Sequence, residues 1–298
     1  MKKPLALLLS AILSLSLWGC SSEVEEQKNP YRPVSYKSEI FQDGVLTSYD
    51  LTEYHYDEHG FLSESLYYEG DVLKQTNIYQ NDDFGNILTV TSISDDNTVL
   101  CENKLTLDDQ NRVLRQEDYK DGVLSYTMEY TYDKDGNVTS EIYTVMKDGV
   151  EDHVRHKEMT YNRKGELIRT ILRQRDSSYF RYDYENDRQV KVSLYDSSDE
   201  LLSYEESTYN ENGQLMKEAS YTCQRTEDTR TNVLDSYSLY TYDETGLIVT
   251  KTDFSVYERP FQTHMVTTYD EYGNQLLQER YHDDELHWRI TQTFEPIP

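Results

Sequence analysis

Polar and apolar residues alternate with period two over much of the chain, and Asp, Asn and Gly interrupt the alternation at short, regular intervals. In Ser125-Tyr126-Thr127-Met128-Glu129-Tyr130-Thr131-Tyr132, the side chains of Tyr126, Met128, Tyr130 and Tyr132 fall on one face and Thr and Glu on the other. That pattern predicts a strand with one wet face. It blurs in Ser203-Tyr204-Glu205-Glu206-Ser207-Thr208-Tyr209, where both faces carry polar groups, and this strand is expected to have no deep core on either side.

The interruptions form a heptapeptide. It reads Tyr56-Asp57-Glu58-His59-Gly60-Phe61-Leu62 and recurs at Tyr132 to Val138, Tyr161 to Leu167, Tyr209 to Leu215, Tyr242 to Ile248 and Tyr269 to Gln275. Looser copies lie at Asn81 to Ile87, Leu107 to Val113 and Tyr184 to Val190, with Asn111 and Arg188 replacing the glycine in the last two. The glycine position runs from residue 60 to residue 273 in eight steps of about 27 residues. An Asp or Asn that bonds its own backbone, a polar pair, and a Gly free to take positive φ make a tight reversal between strands. A second turn falls between copies, in Gln42-Asp43-Gly44-Val45-Leu46, Glu69-Gly70-Asp71-Val72-Leu73, Lys120-Asp121-Gly122-Val123-Leu124 and Lys147-Asp148-Gly149-Val150. Two reversals per unit leave two antiparallel strands of roughly eight residues each.

The predicted fold is all-β: a repetitive antiparallel β-meander of about nine two-stranded repeats, either an extended twisted single-layer sheet or an open or coiled β-shell. Arg259-Pro260-Phe261 is expected to interrupt a strand, and Pro296-Ile297-Pro298 to blunt the last edge. From Cys20 onward Ile, Leu, Val and Phe make up 58 of 279 residues, close to the level at which a charged chain stays disordered. The 28 tyrosines supply the missing apolar area, because a phenol ring can be buried with its hydroxyl still wet. A thin, Tyr-laminated sheet is therefore expected, with cross-strand ring pairs accumulating along it.

Ahead of the repeats, Met1-Lys2-Lys3 and the apolar run Leu5 to Leu17 form a signal-peptide layout too short for a spanning helix. Its end, Leu17-Trp18-Gly19-Cys20, resembles the bacterial lipobox, although Trp18 stands where that motif has a small residue. The resemblance implies cleavage before Cys20 and a palmitate-type diacyl or triacyl anchor on it. The expected domains are a lipoprotein signal peptide at 1–19, a flexible acidic tether at 20–35 and the repeat domain at 36–298.

The formal charge of −27, from 29 Lys+Arg against 56 Asp+Glu, argues against nucleic acid as a partner. Carboxylates of the glycosidase type are outweighed by the turn role of most acids. Asp133-Lys134-Asp135-Gly136 resembles the start of a calcium loop, but Thr144 occupies the position that needs Glu. His153 and His156 point to opposite strand faces, and His55 and His59 straddle a turn, so no zinc triad is expected. Cys101 and Cys223 would sit ~44 Å apart in a flat meander and stay unbonded unless the sheet coils. No nucleophile motif, phosphate loop or dinucleotide fingerprint occurs. The expectation is no catalytic, cofactor or metal residue, with lipidation at Cys20 the sole site. Thr222-Cys223-Gln224-Arg225-Thr226-Glu227-Asp228, reading as a lengthened connection, is the place to look for a specific contact.

The Tyr-Asp-x-x-Gly-x-Leu turns resemble the YD repeats of bacterial RHS-type proteins over about residues 36 to 294, best at Tyr132 to Val138 and Tyr242 to Ile248. That resemblance implies extended or shell-forming β-structure used for carbohydrate binding, surface attachment or enclosing a toxin. The interleaved Asp-Gly-Val-Leu turns bear a weaker resemblance to the MORN-like repeats of bacterial antitoxins. The functional expectation is a lipid-anchored envelope protein exposed outside the cytoplasm, non-enzymatic, contacting glycan or protein through its Tyr-rich sheet. The alternative is an assembly or immunity-type protein that captures a basic protein partner; a hydrolase and a small-molecule substrate are not expected.

Overall fold

The first and last residues of the heptapeptide are cross-strand partners: Tyr56 faces Leu62, Tyr132 faces Val138 and Tyr242 faces Ile248. The five residues between them close through Asp57 N–H to Phe61 O at 2.9 Å and Gly60 N–H to Asp57 O at 3.0 Å. The Asp57 carboxylate accepts from the N–H groups of His59 and Phe61 at 2.9 and 2.8 Å. Gly60 has φ +83°, the left-handed region in which a Cβ is strained. One residue past the loop the register slips, because Tyr56 pairs with Leu62 while His55 pairs with Glu64, leaving Ser63 as a bulge.

The computed structural model describes residues 31–147, 149–173, 177–225, 230–256 and 261–297. Twenty strands follow one another. They are β1 (Tyr31–Gln42), β2 (Val45–Tyr56), β3 (Leu62–Glu69), β4 (Val72–Asn81), β5 (Ile87–Ser94), β6 (Val99–Leu107), β7 (Val113–Lys120), β8 (Val123–Tyr132), β9 (Val138–Lys147) and β10 (Val150–Tyr161). Then come β11 (Leu167–Arg173), β12 (Tyr179–Glu185), β13 (Arg188–Tyr195), β14 (Leu201–Tyr209), β15 (Leu215–Arg225), β16 (Arg230–Tyr242), β17 (Ile248–Ser255), β18 (Phe261–Tyr269), β19 (Gln275–His282) and β20 (Glu285–Pro296). Each strand pairs antiparallel with the next, and β1 also pairs with β20, from Tyr31 opposite Pro296 to Ile40 opposite Trp288.

The sheet is therefore a closed 20-stranded barrel of ten hairpin units, in place of the expected open meander or coiled shell of about nine. Turn chemistry sets which strands are neighbours, whereas closure comes from accumulated curvature. Bulges recur beside both ends of the strands, at Ser63, Leu114 and Met216 after the long loops and at Thr47, Lys74 and Ser125 after the short turns. Each bends its strand and adds twist, so the bending sums until the first and last strands meet. A circular ring of this strand number, at ~4.8 Å spacing and ~40° tilt, measures roughly 40 Å across.

Up-and-down order sorts the connections into two rims. The loop rim holds eight five-residue Asx loops among the described residues, at 57–61, 82–86, 108–112, 133–137, 162–166, 210–214, 243–247 and 270–274, together with Tyr31 and Pro296. The turn rim holds the short reversals Asp43-Gly44, Gly70-Asp71 and Asp121-Gly122. Three expectations change here. The reversal near Tyr184 is Asn186-Asp187, with φ +51° and +61°, so Tyr184 pairs with Gln189 and Arg188 opens β13 instead of standing at a glycine position. Two five-residue loops with the same backbone bonds, Ser94 to Thr98 and Asp196 to Glu200, stand on the turn rim with Asn97 and Asp199 at positive φ. β1 begins at Tyr31, five residues before the expected start of the repeat domain, and Pro296 pairs across the closure where an exposed edge was expected.

The terminal tyrosine of the heptapeptide has a second bond. Its hydroxyl donates to a carbonyl near the start of the preceding odd strand: Tyr132 to Val113 O at 2.7 Å, Tyr161 to Val138 O at 2.8 Å and Tyr242 to Leu215 O at 2.7 Å. Tyr56, Tyr209 and Tyr269 do the same to Pro33, Gln189 and Ile248 at 2.6, 2.8 and 3.0 Å. Between β7 and β8 the pairing toward this rim ends at Arg115 opposite Glu129, two residues short of Val113, and the Tyr132 hydroxyl spans that gap.

Buried positions are small or polar, interleaved with rings. Ser65, Ser92, Gln116 and Ser193 are each at most 2% exposed, and Tyr79, Tyr204 and Tyr240 are buried too, Tyr79 beside Ser65 and Tyr204 opposite Ser193. Thr127, on the side of β8 expected to be wet, is buried between its partners Glu117 and Thr144. Tyr204, in the strand expected to lack a core, is buried and stacks on Tyr221 with ring centres 4.7 Å apart. Both faces of the wall are thus laminated by side chains, and strands contact only their ring neighbours among the described residues.

Candidate functional site

The residues singled out by sequence are dispersed by the barrel. Cys20, the expected lipidation site, lies outside the described residues. Arg259 and Pro260, where an interruption was expected, do too, and Phe261 is the first residue of β18. Thr222, Cys223, Gln224 and Arg225 belong to β15, which corrects their reading as a connection; residues 226–229 lie outside the described residues. Cys101 on β6 and Cys223 on β15 are nine strands apart in a ring of twenty, both thiols free, with Cys223 Sγ 3.3 Å from Asn232 Oδ1. His156 Nε2 bonds Ser140 Oγ at 3.0 Å, His153 accepts from Arg155 Nε at 3.2 Å, and His55 pairs with Glu64 at 2.8 Å. Asp133 serves its own loop, accepting from the N–H groups of Asp135 and Asn137 at 2.9 Å each.

The closing seam gathers polar chemistry that sequence could not assemble. Arg32 pairs with Glu295 at 2.7 Å and lies over the Tyr56 ring, 4.0 Å from its centre. Ser35 and Thr293 hydroxyls meet at 2.7 Å, and Trp288 Nε1 donates to Ser38 Oγ at 2.9 Å. Arg289 holds Glu279 at 2.7 Å and reaches the buried Glu39 at 3.8 Å, while Lys37 pairs with Glu39 at 2.7 Å. These residues are 250 or more positions apart in the chain where they cross the seam, so no local signal announces them.

A second gathering lies on one face of β5 to β9. Cross-strand register places Ser92 opposite Cys101, Asn103 opposite Asp118, Asp118 opposite Tyr126 and Gln116 opposite Met128. Gln116 Nε2 donates to Tyr126 Oη at 3.2 Å, and the Tyr126 and Tyr143 rings sit 5.3 Å apart. Burial pushes Asp118 above the usual carboxylate range, against the pull of Asn103 and Lys120. Burial also pushes the Cys101 thiol up, which withholds the thiolate that nucleophilic chemistry needs. Tyr126 rises to about 12 through burial and the nearby Asp118 charge. The gathering is a packed polar network in which the Asp118 charge adds to the rise of the Cys101 thiol.

The loop rim shows the opposite trend. Asp82 and Asp133 are held below the ordinary carboxylate range, first by the Asn86 and Asn137 side-chain amides and then by loop N–H groups. Asp243 is lowered likewise by Thr245 and the Leu247 N–H. Among the described residues no group of three or more His, Cys, Asp or Glu side chains is placed to hold a metal ion.

No family model matches the chain, and no curated protein matches it at a significant level. Solved structures with similar β-architecture include a TcdB2–TccC3–Cdc42 complex, at 14% identity and a TM-score of 0.43 over 84% of this chain. The Photorhabdus luminescens Tc holotoxin pore is similar at 13% identity and a TM-score of 0.43 over 87%. The chain spans 15% of the length of each of those two. A porin-like protein from Bacteroides uniformis is similar at 10% identity and a TM-score of 0.37, covering 88% of this chain and 96% of that one.

Proposed function

We propose that this chain is an envelope-displayed, lipid-anchored, non-enzymatic barrel that holds a protein partner. The observation that carries the reading is the placement of the strand ends: Tyr31 and Pro296 pair with each other at the loop rim, so an anchor ahead of Tyr31 presents the turn rim outward. The eleven residues from Cys20 to Pro30 reach at most ~40 Å when extended. Both faces of the wall carry charged side chains within strands, as in Val113–Lys120 with Arg115 and Glu117 on one face and Asp118 on the other. Hydrocarbon tolerates such charges poorly, which favours display over insertion.

A protein partner is favoured over glycan because the tyrosines are engaged elsewhere. Six heptapeptide hydroxyls are bonded to backbone carbonyls, and the stacked pair Tyr204 on Tyr221 includes a ring only 8% exposed. Free ring faces are what sugar stacking needs.

Two measurements test the reading. In cells fed a clickable fatty acid, the wild-type chain is expected to carry label and fractionate with envelope, and Cys20→Ser to lose both; label persisting on the variant would sink the anchor. In crosslinking on intact cells, partner capture is expected to weaken as salt rises. Salt-independent binding on a glycan array would instead favour the sugar reading.

A further inference from the structure

The turn rim carries a row of exposed valines, four of them the valine of the second turn motif, that packing does not explain. Val45, Val72, Val99, Val123 and Val150 are the first residues of β2, β4, β6, β8 and β10. Their exposures are 65, 52, 45, 57 and 68%. Each faces a residue of the preceding strand at the turn: Gln42, Glu69, Ile93, Lys120 and Lys147. Alternate strands lie ~9.6 Å apart, so five such positions span ~38 Å along the rim. Exposed Ile40 lies on the same face as Val45. On the other half of the rim the corresponding strands β12, β14, β16, β18 and β20 open on Tyr179, Leu201, Arg230, Phe261 and Glu285 in place of valine.

Strand propensity alone accepts Thr at these positions, and by register Val45, Val72, Val123 and Val150 share one face of the wall while Val99 takes the other, so the four form a patch beyond scattered surface residues. Between the valines stand exposed acids of the turns, Asp43, Asp71, Asp95, Asp96 and Asp121. Exposed Glu151 and Asp152 follow Val150, against Lys74, Lys120 and Lys147. We propose that this half-rim docks a protein segment bearing aliphatic side chains interspersed with Lys and Arg. The inference rests on the protein-binding reading above and names the partner's chemistry.

Charge decides among occupants. A second copy would set one acidic rim against another, and the segment ahead of Tyr31 carries Glu23, Glu25 and Glu26 and joins the barrel at the opposite rim. Strand addition has no edge to use, because the ring is closed. Recognition therefore proceeds through side chains: valines against aliphatic groups, turn carboxylates against cations.

The test uses a phage-displayed library of random 16-residue peptides panned on the full chain from Cys20, with a variant carrying Val45→Thr, Val72→Thr and Val123→Thr. Thr keeps the branched shape, and circular dichroism of the variant checks that the barrel persists. Peptides combining aliphatic and basic residues are expected to be enriched, to bind the variant at least tenfold more weakly, and to dissociate as salt rises. Enriched peptides that bind variant and wild type alike would overturn the half-rim while leaving the protein-binding reading in place. No enrichment on either protein would overturn both. A dimer in sedimentation that the variant abolishes would assign the row to self-association and overturn the basic partner.

Discussion

The tyrosine that opens six of the heptapeptides has two separable duties, a ring that laminates the wall and a hydroxyl that bridges a gap at the loop rim. Replacing Tyr242 by Phe removes only the second, leaving Leu215 O without its 2.7 Å donor. The expected loss is about 1 kcal/mol in denaturant unfolding, the usual worth of one such bond. An unchanged midpoint would mean that water replaces the phenol at no cost. Glycine at the fourth loop position separates two further effects. At Gly136, φ is +89° and a Cβ would meet nothing within 4 Å, so Gly136→Ala is expected to cost about 1–2 kcal/mol from backbone strain alone. At Gly85, with φ +85°, the added Cβ also falls 2.5 Å from the Phe61 ring. Gly85→Ala is thus expected to lower the thermal midpoint further than Gly136→Ala, and equal shifts would show that Phe61 moves aside freely.

Hairpins were legible in the sequence because their chemistry is local: Asp57, Gly60 and their counterparts lie within seven residues of one another and satisfy one another's bonds. Eight of the nine heptapeptides mark true reversals with their first and last residues face to face. The ninth failed because Asn186-Asp187 turns the chain two residues early, and polar residues at positive φ there leave no glycine to find. The loops at Ser94 and Asp196 escaped for the same reason, with Asn97 and Asp199 at the left-handed position. The seam was illegible in principle, since Ser35 and Thr293 are joined by accumulated twist and no motif links them. That pair suggests a direct probe. Cysteines at Ser35 and Thr293, on facing strands whose hydroxyls touch, are expected to bond on oxidation and to stabilise the barrel by about 2–4 kcal/mol over the reduced form. Melting with and without reductant checks this, and failure of the thiols to couple would show that β1 and β20 part in solution.

Tyrosine also governs how the whole barrel answers to pH. Burial and neighbouring tyrosines push Tyr54 up to about 12, and burial with the Glu141 charge does the same to Tyr130. Unfolded, these phenols ionise near pH 10. Between pH 10 and 12 the unfolded chain releases protons that the folded barrel retains, so stability is full below pH 10 and falls as pH rises through that window. Cooperative unfolding in that window, with a jump in tyrosinate absorbance, is the expected outcome; gradual titration of all phenols near pH 10 without loss of structure would contradict it. Tyr31 and Pro296 meet as ordinary ladder partners, so the barrel has no privileged starting strand. Circular permutants cut at a turn such as Asp121-Gly122 and rejoined at the seam would keep every strand neighbour, and could move the point of attachment to the opposite rim.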